Sequence, residues 1–362
     1  MICIRAPLRV SFGGGGCDLP AYYERFGGIV VSAAITRYCY AQVAETADGV
    51  GRVISADYGQ RFRWEPARIP RTASPLALPK AALRTYAEQG ALTSGVRLAL
   101  AADVPPGSGL GSSSAMAVAT LQALATRFAS PLSREEAASQ ACALEIERLG
   151  MPIGKQDQYA SAYGGLNMIE FTRERVHVTP LRLSPATREA LDERLLLFWT
   201  RRSHDSARIL RAQRADTQSR PEVIASLHEI KSIAVAMRYA LEAGHLDGFG
   251  RLLDDAWQTK RRLSNAISSA AIDEWYAAAR RAGALGGKIT GAGGGGFLLL
   301  YVPPAQRHAV CEAMARCGLP EEPFRFDDQG MTRLSRAPKG WGQRFAFNDN
   351  TSAAPAPISC SA

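Results

Sequence analysis

The sequence predicts a two-domain protein of mixed helix and strand, and three observations carry that expectation. At 362 residues with 46% hydrophobic content, the chain has core enough for two domains. Strand-like patterning crowds the first hundred residues, whereas the second half reads as successive amphipathic helices. Between them runs Asp103-Val-Pro-Pro-Gly-Ser-Gly-Leu-Gly-Ser-Ser-Ser-Ala115, a proline- and glycine-marked loop that opens a long Ala/Leu-rich helix.

In chain order, Ile2 to Phe12 sets apolar and β-branched residues around Arg5, Arg9 and Ser11, which predicts a strand. It ends in Gly13-Gly-Gly15-Gly16 and Cys17-Asp18-Leu19-Pro20. Glycines there let the backbone approach a ligand, and Asp18 at the loop tip is either an ordinary loop residue or a substrate contact. Residues 29 to 45 predict one or two strands, Arg52 to Trp64 a further pair, and residues 80 to 101 a helix and the approach to the central loop.

In that loop, Gly107, Gly109 and Gly111 alternate, and Ser112, Ser113 and Ser114 begin the helix expected to run to Phe128. Unpaired N–H groups at such an end, with the positive pole of the helix dipole, suit the phosphates of a nucleotide. A P-loop is excluded because no lysine follows Gly111, and the glycine spacing also fails the dinucleotide fingerprint. A glycine-rich turn capping an ordinary helix remains the other reading.

Ser133 and Glu136 form a capping-box pattern that predicts a helix to Leu149, stopped by Gly150-Met-Pro152. On it Ala138, Cys142, Glu145 and Leu149 share a face, so Glu145 leans toward an apolar row. It is either a Mg²⁺ ligand or a snorkelling boundary glutamate. Gly154-Lys155-Gln156-Asp157-Gln158-Tyr159 then turns into a short helix and a strand. Lys155 could hold a phosphate and Asp157 could accept a hydroxyl proton, unless the segment is a solvated turn.

The polar, proline-marked stretch Thr179 to Ala190 sets the expected domain boundary near residue 185, before a buried strand at Leu195 to Trp199. Residues 1–185 and 186–348 are the expected domains, with 349–362 as a disordered tail. In the second, helices are expected at 204–219, 221–244, 246–262 and 270–283. A glycine run from Gly286 to Gly296 feeds a strand at Phe297 to Val302, then come a helix from Gln306 to Cys317 and a last short strand near Pro323 to Phe326. Gly291, Gly293 and Gly296 match a dinucleotide fingerprint formally but precede a strand, the wrong context. So dense a run instead predicts close packing on another loop or on a ligand.

Composition narrows the function further. A net charge of +9 is spread among acids, which argues against a nucleic-acid binder and suits anionic small molecules. Seven cysteines form no C-x-x-C pair, so neither zinc nor a disulfide framework is expected, and the odd count points to a reducing cytoplasm. Arg5 and Arg9 interrupt any apolar leader, and no apolar span of roughly 18 residues is present to cross a membrane.

Three glycine-rich stretches near residues 13, 107 and 291, in the order strand-loop, loop-helix and loop-strand, resemble the GHMP kinase superfamily over residues 2 to about 345. Val104 to Ala115 matches that family's nucleotide loop at almost every place. Arg5-Ala-Pro-Leu-Arg9-Val-Ser-Phe-Gly-Gly-Gly-Gly-Cys-Asp18-Leu-Pro with Gly154-Lys-Gln-Asp157-Gln-Tyr is similar to the sugar kinases of D-glycero-D-manno-heptose 7-phosphate. The resemblance implies an α+β fold with an N-terminal domain like domain 2 of ribosomal protein S5 and a ferredoxin-like C-terminal domain. It also implies ATP-dependent transfer to a sugar's anomeric hydroxyl, with a homodimer left open.

Carried over by position, Pro106, Gly107, Ser108, Gly109, Leu110, Gly111, Ser112, Ser113 and Ser114 would hold ATP, with Mg²⁺ on Ser113 and Glu145. Asp157 and Lys155 would be catalytic, and Arg9, Gly15, Asp18, Gly293 and Gly294 would meet the sugar phosphate. Cys17 stands where these kinases usually have Thr, and Arg201-Arg202 where they usually have Gly and a small residue. A kinase of an unphosphorylated sugar such as fucose or arabinose, or a non-catalytic binder of the same fold, are the alternatives.

Overall fold

A computed structural model of the chain describes residues 1–65, 76–128, 130–202 and 206–345. The tail expected from residue 349, and the first two residues of the helix expected at 204, lie outside the described residues.

The first half builds β1 (Ile2–Gly13), α1 (Pro20–Phe26), β2 (Gly28–Glu45), the hairpin of β3 (Gly51–Ser55) and β4 (Gln60–Trp64), α2 (Ala77–Glu88) and β5 (Val96–Ala102). Then come α3 (Ser112–Phe128) and α4 (Arg134–Cys142), which continues as a π-helical turn, Ala143–Arg148. These lead to α5 (Gln156–Tyr163), β6 (Leu166–Phe171) and β7 (Val176–Pro180). The second half holds α6 (Pro185–Arg194), β8 (Leu195–Trp199), α7 (Ser206–Ser219), α8 (Pro221–Glu242), α9 (Leu246–Arg261) and α10 (Ala270–Arg281). The hairpin of β9 (Gly286–Ile289) and β10 (Phe297–Tyr301), α11 (Arg307–Arg316), β11 (Thr332–Leu334) and α12 (Trp341–Arg344) complete it.

Eight strands form the larger sheet, in the order β11-β1-β2-β5-β3-β4, with β6 also on β2 and β7 on β6. The 18 residues of β2 make this possible. One edge pairs with β1 along its length, while the other pairs with β6 over Gly28–Ala33 and with β5 over Cys39–Glu45. Pro7 has no N–H to give the ladder, and the β1–β2 register slips between Pro7 and Leu8. Residues 6 to 13 of β1 are buried consecutively, so both of its faces are covered. The Ala-rich α3 and the long α8 pack against β1 and β2.

A second, antiparallel sheet, β8-β10-β9, carries apolar runs such as Leu-Leu-Leu-Phe and Phe-Leu-Leu-Leu-Tyr buried on both faces. Phe12 meets Phe249 edge-on at 5.2 Å, and Phe249 meets Tyr301 at 6.0 Å, so an aromatic chain ties β1 to α9 and β10.

The structure departs from expectation at four places. Residues 96–102, expected only as an approach to the loop, are a central strand, because burial between β2 and β3 overrides the weak strand propensity of Ala. The polar stretch 179–190 contains the end of β7 and most of α6, whose Ser184 cap accepts from the Thr187 N–H at 3.1 Å. The strand expected at Pro323–Phe326 is reduced to isolated bridges, Glu321 to Phe198 and Phe326 to Ile35. The actual last strand, β11, pairs with β1, so the chain's end returns to the first sheet.

Candidate active site

The central loop links β5 to α3, and its geometry demands its glycines. Gly107, Gly109 and Gly111 have φ of 73°, 78° and 77°. A Cβ on Gly109 would stand 2.7 Å from the Thr290 carbonyl oxygen, and one on Gly291 would stand 2.7 Å from the Gly109 Cα. A Cβ on Gly296 would run into the Ser108 carbonyl. The third glycine run is therefore the wall against which the nucleotide-type loop lies, as its density predicted. Asp103 anchors the loop's entry, accepting from the Tyr38 N–H at 3.0 Å, the Tyr40 hydroxyl at 3.1 Å and Arg344 at 3.0 Å.

Around the bend, Leu110 is buried in the core, Pro106 and Gly107 are half-buried, and Ser108 is buried with its hydroxyl unpartnered. Ser112, Ser113 and Ser114 form the first turn of the 17-residue α3, with Ser113 exposed and Ser114 buried. The N-terminal amides of that turn face the loop, an arrangement that binds anions.

At the mouth of the loop lies Asp157, in the first turn of α5. A Cβ on Gly111 would come within 3.1 Å of its Oδ2. Arg9 reaches it from β1, donating from Nε to Oδ1 and from Nη2 to Oδ2, each at 2.7 Å, and from Nη1 to the Gly109 carbonyl at 2.7 Å. Arg9 is only 4% exposed while the Asp157 side chain keeps 23% of its surface open, so the bidentate pair fixes the carboxylate's plane and leaves it accessible.

Ser113 and Glu145, far apart in sequence, meet directly: the Ser113 hydroxyl donates to Glu145 Oε1 at 2.5 Å, and Gln158 Nε2 donates to Oε2 at 2.7 Å. Glu145 sits on the π-helical turn, fully buried, and burial pushes its carboxyl up to about 7 against the hydrogen bonds that lower it. A hydroxyl and a carboxylate are hard oxygen donors suited to Mg²⁺. Among the described residues no group of three or more His, Cys, Asp and Glu could hold a metal. A cation on Ser113 and Glu145 would thus complete its shell with phosphate oxygens and water, the usual state of Mg²⁺, and the residues present fit it.

Asp18 is buried, not at an open tip, and 3% exposed. It accepts from the Gly16 N–H at 3.1 Å and from Gln156 Nε2 at 3.0 Å, and burial, then the Asp157 charge, raises its pKa. Gly154 is required beside it, because a Cβ there would run into this carboxylate. Lys155 places its ammonium 5.2 Å from the centre of the Tyr23 ring. Gly293 and Gly294 pack against Ile267, whose carbonyl accepts from the Gly294 N–H at 2.9 Å.

The sequence reading passed over two lysines. Lys260 donates to the Gly291 carbonyl at 2.5 Å, lies 3.8 Å from where a Gly15 Cβ would be, and is 6% exposed. Lys288 is 4% exposed and contacts the Phe12 carbonyl at 3.4 Å. A sequence signal existed for Lys260: with Phe249, Leu253 and Ala256 it lies along the buried row of α9, the pattern that singled out Glu145.

The chain matches known proteins along most of its length. Residues 77–165 match the family model described as "GHMP kinases N terminal domain", and residues 237–319 match "GHMP kinases C terminal". The D-glycero-alpha-D-manno-heptose 7-phosphate kinase of Campylobacter jejuni is 30% identical over 90% of this chain and 97% of its own. The bifunctional fucokinase/GDP-fucose pyrophosphorylase of Arabidopsis thaliana is 29% identical over 84% of this chain, which spans 30% of that protein. A crystal structure named as a D-glycero-D-manno-heptose 1-phosphate kinase from Bacteriodes thetaiotaomicron superimposes with a TM-score of 0.76 at 28% identity, covering 93% of this chain and all of that one.

Proposed function

The chain belongs to the GHMP kinases and is an ATP-dependent sugar kinase; from that premise we propose that its acceptor is the anomeric hydroxyl of D-glycero-D-manno-heptose 7-phosphate, giving the 1,7-bisphosphate. The heptose is supported by the likeness to the Campylobacter jejuni kinase, which extends over nearly all of that protein. The transfer mechanism is carried by one observation: the Asp157 carboxylate stands at the mouth of the glycine loop, gripped by Arg9, which also grips the loop at Gly109.

Phosphoryl transfer needs in-line placement and charge neutralisation more than covalent help. The loop amides and the first turn of α3 would hold the nucleotide's phosphates, with Gly109 and Gly111 allowing their close approach. Asp157 would accept a hydrogen bond from the attacking hydroxyl and take its proton as the new O–P bond forms and the bond from the γ-phosphorus to the β–γ bridging oxygen breaks, with ADP as the leaving group. Arg9 keeps Asp157 in that orientation. Three of a guanidinium's five N–H groups are engaged by Asp157 and Gly109, which leaves two for the phosphoryl in transit. Ser113 and Glu145 would hold Mg²⁺, which when bound neutralises phosphate charge. Asp18, held by Gly16 and by Gln156, the chain neighbour of Asp157, would orient sugar hydroxyls.

The test is ATP turnover against heptose 7-phosphate, sedoheptulose 7-phosphate, mannose 6-phosphate, fucose, arabinose and galactose. Turnover confined to the heptose phosphate is expected. Turnover of fucose alone, the substrate class named for the Arabidopsis relative, would replace the substrate and keep the mechanism. No turnover of any sugar would refute the substrate reading.

A further inference from the structure

Lys260 and Lys288 are buried lysines without adequate partners. Each ammonium has three N–H donors, yet Lys260 directs one to Gly291 and Lys288 makes a single long contact to Phe12. Among the described residues neither forms an ion pair. A lysine buried without a partner is costly, and two that act on each other's charge are costlier.

Their position is as telling as their burial. Lys260 lies where all three glycine-rich stretches converge. It bonds Gly291, whose Cα side abuts Gly109, and it lies beside Gly15. The charges that act on it are Arg9 on β1, Asp18 in the first loop and Asp157 on α5, while Lys288 on β9 is acted on by Lys260, Arg9 and Asp18. Burial first, then the Arg9 charge, brings Lys260 down to about 8, and burial drives Lys288 well below the usual lysine range. A dianion would relieve both.

We propose that Lys260 and Lys288 together form a seat for a phosphate group, delivered by the C-terminal half of the chain to the Arg9–Asp157 pair. The seat rests on the sugar-phosphate reading given above and deepens it. The phosphate is either the acceptor's own or the nucleotide's terminal one, and both offer the same dianionic oxygens.

The test uses the whole chain and three probes: inorganic phosphate, a non-hydrolysable ATP analogue and heptose 7-phosphate. Inorganic phosphate is expected to raise the Tm of the wild type and to have little effect on K260M or K288M, while K260R retains the response. K260M should weaken binding of one phosphate ligand at least tenfold. Loss confined to the sugar phosphate assigns the seat to the acceptor, and loss confined to the ATP analogue assigns it to the nucleotide. Phosphate affinity should also fall as pH rises through about 8, where Lys260 loses its proton.

The proposal is overturned if phosphate stabilises K260M and K288M as much as the wild type and both ligands bind them unchanged. K260M, which removes an uncompensated charge, is expected to fold; should it fail to, K288M and the pH dependence of phosphate affinity in the wild type decide the matter. If the wild type ignores the heptose phosphate but still responds to inorganic phosphate, the substrate reading falls and the seat stands.

Discussion

The most informative residue in this molecule is Arg9, because one side chain joins Asp157, the proposed base, to the glycine loop. Its fork spans Asp157 and the Gly109 carbonyl at 2.7 Å each, so displacing it would disturb both substrates' positions at once. Replacing Asp157 by Asn should cut kcat by about 10² or more while nucleotide affinity, measured by calorimetry, stays within about twofold. Arg9→Lys keeps the charge but loses the bidentate geometry, and kcat should fall about tenfold or more with the Tm little changed. Glu145→Gln should abolish the gain in ATP affinity that Mg²⁺ brings, since it removes the anionic half of the Ser113–Glu145 pair. Asp157 and Glu145 were legible in the sequence as residues, each with a bland alternative. Their partners Arg9 and Ser113 lie 148 and 32 residues away, and no spacing rule connects them.

At the scale of elements, the loop and the hairpin behind it are a single unit. Gly109→Val should lose nucleotide binding, because φ of 78° strains a branched residue and its Cβ would press on Thr290. Unchanged affinity in that variant would separate the loop from the nucleotide. The capping box at the start of α4 is a local matter and was legible directly. The Ser133 hydroxyl accepts from the Glu136 N–H at 3.2 Å while Glu136 accepts from the Ser133 N–H at 2.8 Å, so Ser133→Ala should cost about 1 kcal/mol in urea unfolding. The helix's continuation was not legible in this form. It becomes π-helical at Ala143–Arg148, and that turn places Glu145 between Ser113 and Gln158. Residues 96–102 escaped for a related reason, since Ala-rich strands are made by their neighbours.

Over the whole molecule, the candidate site draws Arg9 from β1, Asp157 from α5 and Lys260 from α9. Lys260 is held near 8 in the folded protein, below the ordinary 10.5, so between those pH values the unfolded chain binds the extra proton. Stability of the free protein should therefore rise as pH goes from about 8 toward 10, and that rise should flatten in K260M, as measured by chemical denaturation across pH. Among the described residues no helix is long and apolar enough to cross a membrane.

The sequence alone determined whatever depends on near neighbours along the chain. It set the period-two strands, the amphipathic helices, the capping box, and the glycine loop whose φ angles only glycine accepts readily. Local chemistry decides these, and local chemistry is written in order. The tertiary structure alone decided that β11 closes onto β1, that Arg9 clamps Asp157, and that Lys260 meets Gly291 while Lys288 meets Phe12. Those facts depend on which distant surfaces meet, and a linear pattern does not record the desolvation and the charge that such meetings create.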